Sequence, residues 1–179
     1  PEDGTWHWSY TDDPYYANNG VLKIITTYEA LGIEFPNPIP AINNAIDALL
    51  SEKPINHVCD LYNTWFSIYF ICNNIKKHGN SSEVAEVVWG LRERAPEAIK
   101  ASAVKMAPCR CEDGSFSYVP GVTSTAAQGL PVSAPTQDGE PAKGDVNATV
   151  ICTYGNINYM FGALGFTTVP RLCTDADRR

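Results

Sequence analysis

Asp60 and Asn63 stand three residues apart, so on a helix their side chains share a face. His57 lies just ahead of them, and Asp145 and Asn147 follow Gly144 late in the chain. Carboxylates and an imidazole can carry protons, and amides can hold or polarise an oxygen. A place where these five meet would have the parts of an acid–base site. Asp12, Asp13, Asn18 and Asn19 form a further group of the same kind near the start. Aromatic side chains suited to a cavity wall stand beside these groups: Trp8, Tyr15, Tyr16, Tyr62, Trp65 and Phe66. The same Asp and Asn residues are also what helix N-termini use as caps, where they meet free backbone N–H groups and partial positive charge. One reading is therefore a set of isolated caps. The other is a shared mouth, with His57, Asp60, Asn63, Asp145 and Asn147 as its catalytic set. Its substrate contacts would be Trp8, Tyr15, Tyr16, Asn19, Tyr62 and Trp65.

The elements that must position these groups are read from an internal repeat. "DGTWHW" begins at Asp3 and "DGSFSY" at Asp113, and each leads to an Asn (Asn19, Asn147) and then to Ala-Leu-Gly, at 30–32 and 163–165. The two copies differ by an insertion between Val119 and Gly144. A fixed order of this kind outranks local propensity. A third, degenerate copy, "DLYNTWFSIYFICNNIKKHG" (60–79), lies between them without the turn. Each copy predicts an apolar helix, over Val21–Leu31, Val58–Lys76 and Thr149–Leu164, ended by Gly32, Gly79 and Gly165 as C-caps. In the turns, Gly supplies a positive φ and Asp caps the backbone. Trp6 and its counterpart Phe116 then read as wedges between helix pairs.

Amphipathic segments alternate with the apolar ones. In 38–53, Ile39, Ile42, Ile46, Leu49 and Leu50 follow helical spacing. The segment 80–106 opens with an Asn80 and Glu83 capping box, and Pro96 is expected to break it into two helices. The expected fold is all-α: one domain, 1–179, of inner apolar and outer amphipathic helices in a right-handed array. Its repeats fall at about 1–53, 54–107 and 108–179. The Pro/Gly/Ser/Thr-rich loop 119–144 is either a lid, bringing Ser124, Thr125 and Gln128 to a ligand, or a disordered segment.

Composition narrows the partners. Of 179 residues, 44% are hydrophobic and 18% charged, which fits a folded domain. A net charge of −7 without a Lys/Arg cluster argues against nucleic acid and against anionic membranes. The longest apolar run, 64–72, is too short to span a bilayer. Cys59, Cys72 and Cys152 read as small buried hydrophobes. The Cys109 and Cys111 pair lacks metal-knuckle spacing, and Asp145 and Cys152 lack a third ligand, so neither metal nor cofactor is expected. The cysteine usage suits a reduced, cytoplasmic compartment. Because the chain begins at Pro1, a preceding N-terminal part is expected.

Inner and outer helix pairs preceded by a D-G-[S/T]-[W/F] turn resemble the α/α toroid of terpene cyclases and protein prenyltransferases. Their QW-type repeats end in a glycine and an aromatic at such a turn. The resemblance covers most of the chain, without the glutamine ahead of the turn. With three inner helices, it implies half a toroid, completed by the rest of a longer chain or by a second copy. "GDVNAT" (144–149) resembles the D-x-D-D acid motif of class II cyclases, but Asn147 and Ala148 stand where that motif has acids, and an amide cannot donate that proton. Polysaccharide lyases of toroid shape use Asn to polarise a uronate carboxylate and Tyr or His to remove a proton. Asn18, Asn19, His57, Tyr62 and Asn63 supply those types. A small-molecule or glycan ligand fits either resemblance, and a non-catalytic binding or scaffold module is the third reading.

Overall fold

The computed structural model describes residues 2–6, 13–120, 126–127, 130–131 and 144–165, and these are mainly α-helical. Helix α1 (Pro14–Leu31) starts where its sequence provides for it. Asp13 accepts the Tyr15 N–H at 3.0 Å, and Pro14 takes a first-turn position that needs no N–H. Gly32 ends it at φ +64°, a left-handed position that favours glycine. The first inner helix thus begins at Pro14, ahead of the expected Val21, and Asn19 lies inside it rather than at its start.

Helix α2 (Pro38–Leu50) buries Ala41, Ile42, Ala45, Ile46, Ala48 and Leu49, the face its spacing predicts. Helix α3 (Cys59–His78) is the most covered, with Leu61, Trp65, Ile68, Ile71 and Ile75 in the core. Each such side chain contributes about 1.5–3 kcal/mol by burial. Gly79 is its C-cap, as expected, in an extended conformation at φ −73° and ψ 159° with its N–H donating to Ile75 O. A Cβ there would lie 2.8 Å from Ile75 Cγ2.

Helix α4 (Ser81–Met106) opens with the expected capping box: Asn80 Oδ1 accepts the Ser82 and Glu83 N–H groups at 3.0 Å, and Glu83 accepts the Asn80 N–H at 2.9 Å. Pro96 does not break it. Val87, Leu91, Ala95, Ala98 and Ser102 form one buried stripe on both sides of the proline, while Pro96 itself is exposed. Packing along that stripe outweighs the one hydrogen bond that proline removes. A 3₁₀ turn (Ala107–Cys109) follows, and within the loop β1 (Ala126–Ala127) and β2 (Leu130–Pro131) pair as a two-residue antiparallel ribbon. Ser124, Thr125 and Gln128 lie outside the described residues.

Helix α5 (Val146–Val150), a π-helical turn (Ile151–Gly155) and α6 (Asn156–Ala163) run on as one rod, since every junction residue has right-handed helical dihedrals. This rod begins at Val146, three residues before the expected Thr149. Gly165 after it has φ +87°.

The helices form two rows. Helix α3 lies between α1 and α6 in one row, and α2 packs on α4 in the other. Chain order therefore alternates between rows, as the apolar and amphipathic segments alternate in sequence. Only α3 is covered on most sides. Helix α1 buries four residues, and α6 is mostly half-buried.

Both D-G turns have the expected form. Gly4 and Gly114 have φ of +72° and +86°. Asp3 accepts the Thr5 N–H at 3.1 Å and Asp113 the Ser115 N–H at 2.9 Å. The Trp6 ring packs on Phe35 at 5.2 Å, and its carbonyl crosses α1 so closely that a Cβ on Gly20 would overlap it. Phe116 is tied to the α5 start: its N–H donates to Thr149 Oγ1 at 3.0 Å and its carbonyl accepts the Asp145 N–H at 2.9 Å. Among the described residues no helix is long and apolar enough to cross a membrane.

Candidate functional site

The residues singled out in the sequence go to four places. The first is the joint at the starts of α1 and α3. Asp13, the α1 cap, lies 3.2 Å from Lys53 Nζ and accepts from Asn56 Nδ2 at 3.3 Å. Burial alone would raise its carboxyl, but Lys53, the Tyr15 N–H and Asn56 together hold it below the usual range. Asp60 is buried, accepts the Asn56 N–H at 2.8 Å, and meets His57 Nδ1 at 3.3 Å. That last approach is off the line of a hydrogen bond, and becomes an ion pair when the imidazole is protonated. The His57 ring packs on Tyr118 at 5.2 Å.

Asp145 borders the same buried region. Its Oδ1 accepts the Ala148 N–H at 2.6 Å, the bond of an N-cap, while Oδ2 is buried without a hydrogen-bond partner. Tyr118 lies between the two acids. Burial pushes its phenol up, and its bond to Cys59 and the Asp60 and Asp145 carboxylates push the same way. Cys152 is raised by burial first, then by Cys109, Cys59 and Asp145. The Tyr118 phenol and the Cys152 thiol are thus held in their protonated forms, and among the described residues no set of side chains is arranged to hold a metal.

The second place is the α1–α3 seam, where Asn63 donates to Asn19 Oδ1. Asn18 is buried there, with its amide donating to Pro14 O at 2.8 Å. Tyr16 is exposed on the same helix.

The third place is the core. Tyr15 and Trp65, expected on a cavity wall, are fully buried. The Tyr15 hydroxyl accepts from Lys105 at 2.6 Å and is pushed up to about 12, chiefly by burial. Trp65 Nε1 donates to Ser102 Oγ at 3.0 Å, toward α4. Trp65 turns away from the cavity because its indole faces the opposite row of helices. Asp12 and Trp8 lie outside the described residues.

The fourth place is a cleft of about 820 Å³ between α3 and the α5–α6 rod. Its α3 wall is one stripe, Tyr62, Tyr69, Asn73 and Lys76. The fourteen helical steps from Tyr62 to Lys76 make that wall about 21 Å long. The facing wall carries Asn147, Tyr154, Asn158 and Tyr159. Of the expected catalytic set, only Asn147 lines this cleft, and it is exposed; among the described residues Tyr62 is the one expected aromatic contact that does so.

Two glycines set the width. A Cβ on Gly155 would lie 2.7 Å from Tyr62 Cε2, and one on Gly162 would lie 2.4 Å from Tyr69 Cε2. Both pairs are seven residues apart, two helical turns, so two rings seat on two bare patches of backbone. Tyr159 fills the space between them, with its ring 5.3 Å from Tyr62, 5.5 Å from Tyr69 and 4.9 Å from Phe66. The Tyr62 and Tyr159 hydroxyls are 3.4 Å apart. Burial first, then the Tyr62 bond, pushes the Tyr159 phenol up, toward its protonated form.

Tyr69, Asn73, Lys76, Tyr154, Asn158 and Tyr159 escaped the sequence reading, which looked to helix starts. The signal was present in the 4-3-4-3 spacing of Tyr62, Phe66, Tyr69, Asn73 and Lys76. Among the described residues the cleft offers aromatic faces, hydroxyl and amide groups and the Lys76 ammonium. No family model matches the chain, and no curated protein or solved structure is significantly similar to it.

Proposed function

We propose that this chain is a glycan-binding domain on an α/α-toroid-like array, with the α3–α6 cleft as its sugar site. The observation that carries this is the cleft lining: tyrosine rings and asparagine amides on both facing walls. Sugars present apolar C–H faces and a rim of hydroxyls, and such a lining meets both needs. The alternation of two helix rows supports the toroid-like reading, although fold alone does not assign an activity.

A terpenoid cyclase needs a carboxylic acid facing its cavity. Here Asp60 and Asp145 make backbone bonds at helix starts. A uronate lyase would share the substrate class, but of the residues expected for it only Tyr62 lines the cleft; His57 lies beside Asp60, and Asn18, Asn19 and Asn63 lie at the α1–α3 seam. Binding without cleavage is therefore the best-supported reading.

The test is calorimetric titration of the chain against a panel of oligosaccharides. At least one should bind, and Tyr69→Ala should weaken it about tenfold, the scale of one lost aromatic contact. Absence of binding across the panel would sink the proposal. Release of an unsaturated uronate, seen by ultraviolet absorbance, would replace it with the lyase.

A further inference from the structure

We propose that the ligand of this cleft is a largely neutral glycan carrying a single acidic sugar, seated at the Lys76 end. This rests on the glycan-binding reading and adds the charge and the direction of the ligand. Among the described residues lining the cleft, Lys76 is the one charged side chain; the other polar groups are phenols and amides. It is exposed, and Asn73 stands one turn before it on the same stripe. Lys76 lies seven residues beyond Tyr69, about 10 Å along the helix. An ammonium and an amide there can hold a carboxylate while the rest of the ligand lies over Tyr69, Tyr159 and Tyr62. Among the described residues, Gly165 on the opposite wall is exposed at that end, and a Cβ on it would meet none of their atoms within 4 Å.

Lys76, Lys77 and His78 all stand in the last turn of α3, where positive charge complements the helix dipole. Lys77 faces Glu29, 2.5 Å from its Oε2, so it is already paired within the protein. Lys76 is the basic residue of that last turn that lines the cleft.

The same geometry limits the ligand to one such charge. One ammonium offsets one carboxylate. Further carboxylates along the chain would lie over tyrosine rings with no cation beside them, and would lose hydration without return. The net charge of −7 adds a repulsion that a polyanion feels most.

Titration calorimetry with four probes tests this. They are an oligosaccharide with one uronic acid, its methyl ester, its counterpart with a sulfate ester in place of the carboxylate, and an oligogalacturonate. The acid should bind about tenfold tighter than its ester, the scale of a charge-assisted hydrogen bond. That gap should close in Lys76→Gln and persist in Lys77→Gln, with both variants folded by circular dichroism. Equal affinity for acid and ester in the unaltered chain would overturn the proposal and leave a neutral-glycan site standing. Tightest binding of the oligogalacturonate, or of the sulfate ester, would overturn it in favour of a polyanion or a sulfated sugar. If none of these probes, nor any neutral oligosaccharide, binds, the glycan reading itself falls.

Discussion

Gly162→Ala sets two opposing effects against each other at the closest approach in the cleft. Alanine in place of glycine inside a helix gains about 1 kcal/mol, because less backbone entropy is lost on folding. Against this, the new methyl would lie 2.4 Å from Tyr69 Cε2 and 2.6 Å from Cδ2. Ordinary contact needs about 1 Å more, and forced overpacking of that size costs about 1–3 kcal/mol. Tyr69 is half-buried and the clash falls on one edge of its ring, so relief requires the whole ring to swing toward the cleft that it lines. The expected net change is therefore small, about 0–2 kcal/mol of destabilisation. The ring must pay for this by leaving Tyr159. Urea unfolding gives the stability, and the aromatic NMR cross-peaks of Tyr69 and Tyr159 report the displacement. Glycan affinity should fall with it. A gain of about 1 kcal/mol with unshifted ring signals would refute the close packing of α3 on α6. A loss well above 3 kcal/mol would refute the freedom assigned to the ring.

Other substitutions separate core from cap from surface. Ser102→Ala removes the acceptor of the buried Trp65 indole and should cost about 1–3 kcal/mol, read as a melting temperature lower by about 2–4 °C per kcal/mol. Asp145→Ala should cost about 1–2 kcal/mol as a lost cap, whereas exposed Asn147→Ala should stay within about 0.5 kcal/mol, both by urea unfolding. The Asp13 carboxyl is lowered from 3.8 in the folded chain, so its stabilisation is present above that value and is lost as pH falls through the folded one. Lys53→Gln should flatten this acid limb in urea midpoints measured from about pH 6 to pH 2, and an unchanged limb would rule out that pair as its source.

The parts of the fold that repeat or cap locally were legible in the sequence. The D-G turns, the Asn80 and Glu83 box, the Gly32 cap and the alternation of two helix types depend on residues within a few positions of one another. Pro96 misled because a single missing N–H is a local signal, and the buried stripe from Val87 to Ser102 that carries the helix past it is not. Trp65 and Tyr15 misled for a related reason. An aromatic on an apolar helix has the same letter whether it faces a cavity or a neighbouring helix, and here α4 supplies the partner for each, Ser102 and Lys105. The cleft was half legible. Its α3 stripe follows from spacing alone, but the wall opposite depends on how a later helix is phased against it.

That phasing explains why one copy of the repeat forms a joint and the other a cleft wall. Nineteen residues separate the cap Asp13 from Gly32, and twenty separate the cap Asp145 from Gly165. The later helix carries one residue more, and the π turn takes it up: the Asn156 N–H reaches back five residues to Ile151 O. One residue is about 100° of helix rotation. Before the turn, the rod is in register with its cap, so that Ala148 is buried and Thr149 meets Phe116, tying it to the second D-G turn. After the turn, the register that matters is the one facing α3, which brings Gly155 to Tyr62, Tyr159 between the rings, and Gly162 to Tyr69. A straight α-helix would have to choose one of these registers. The extra residue lets a single rod satisfy both, and it does so where the cleft opens.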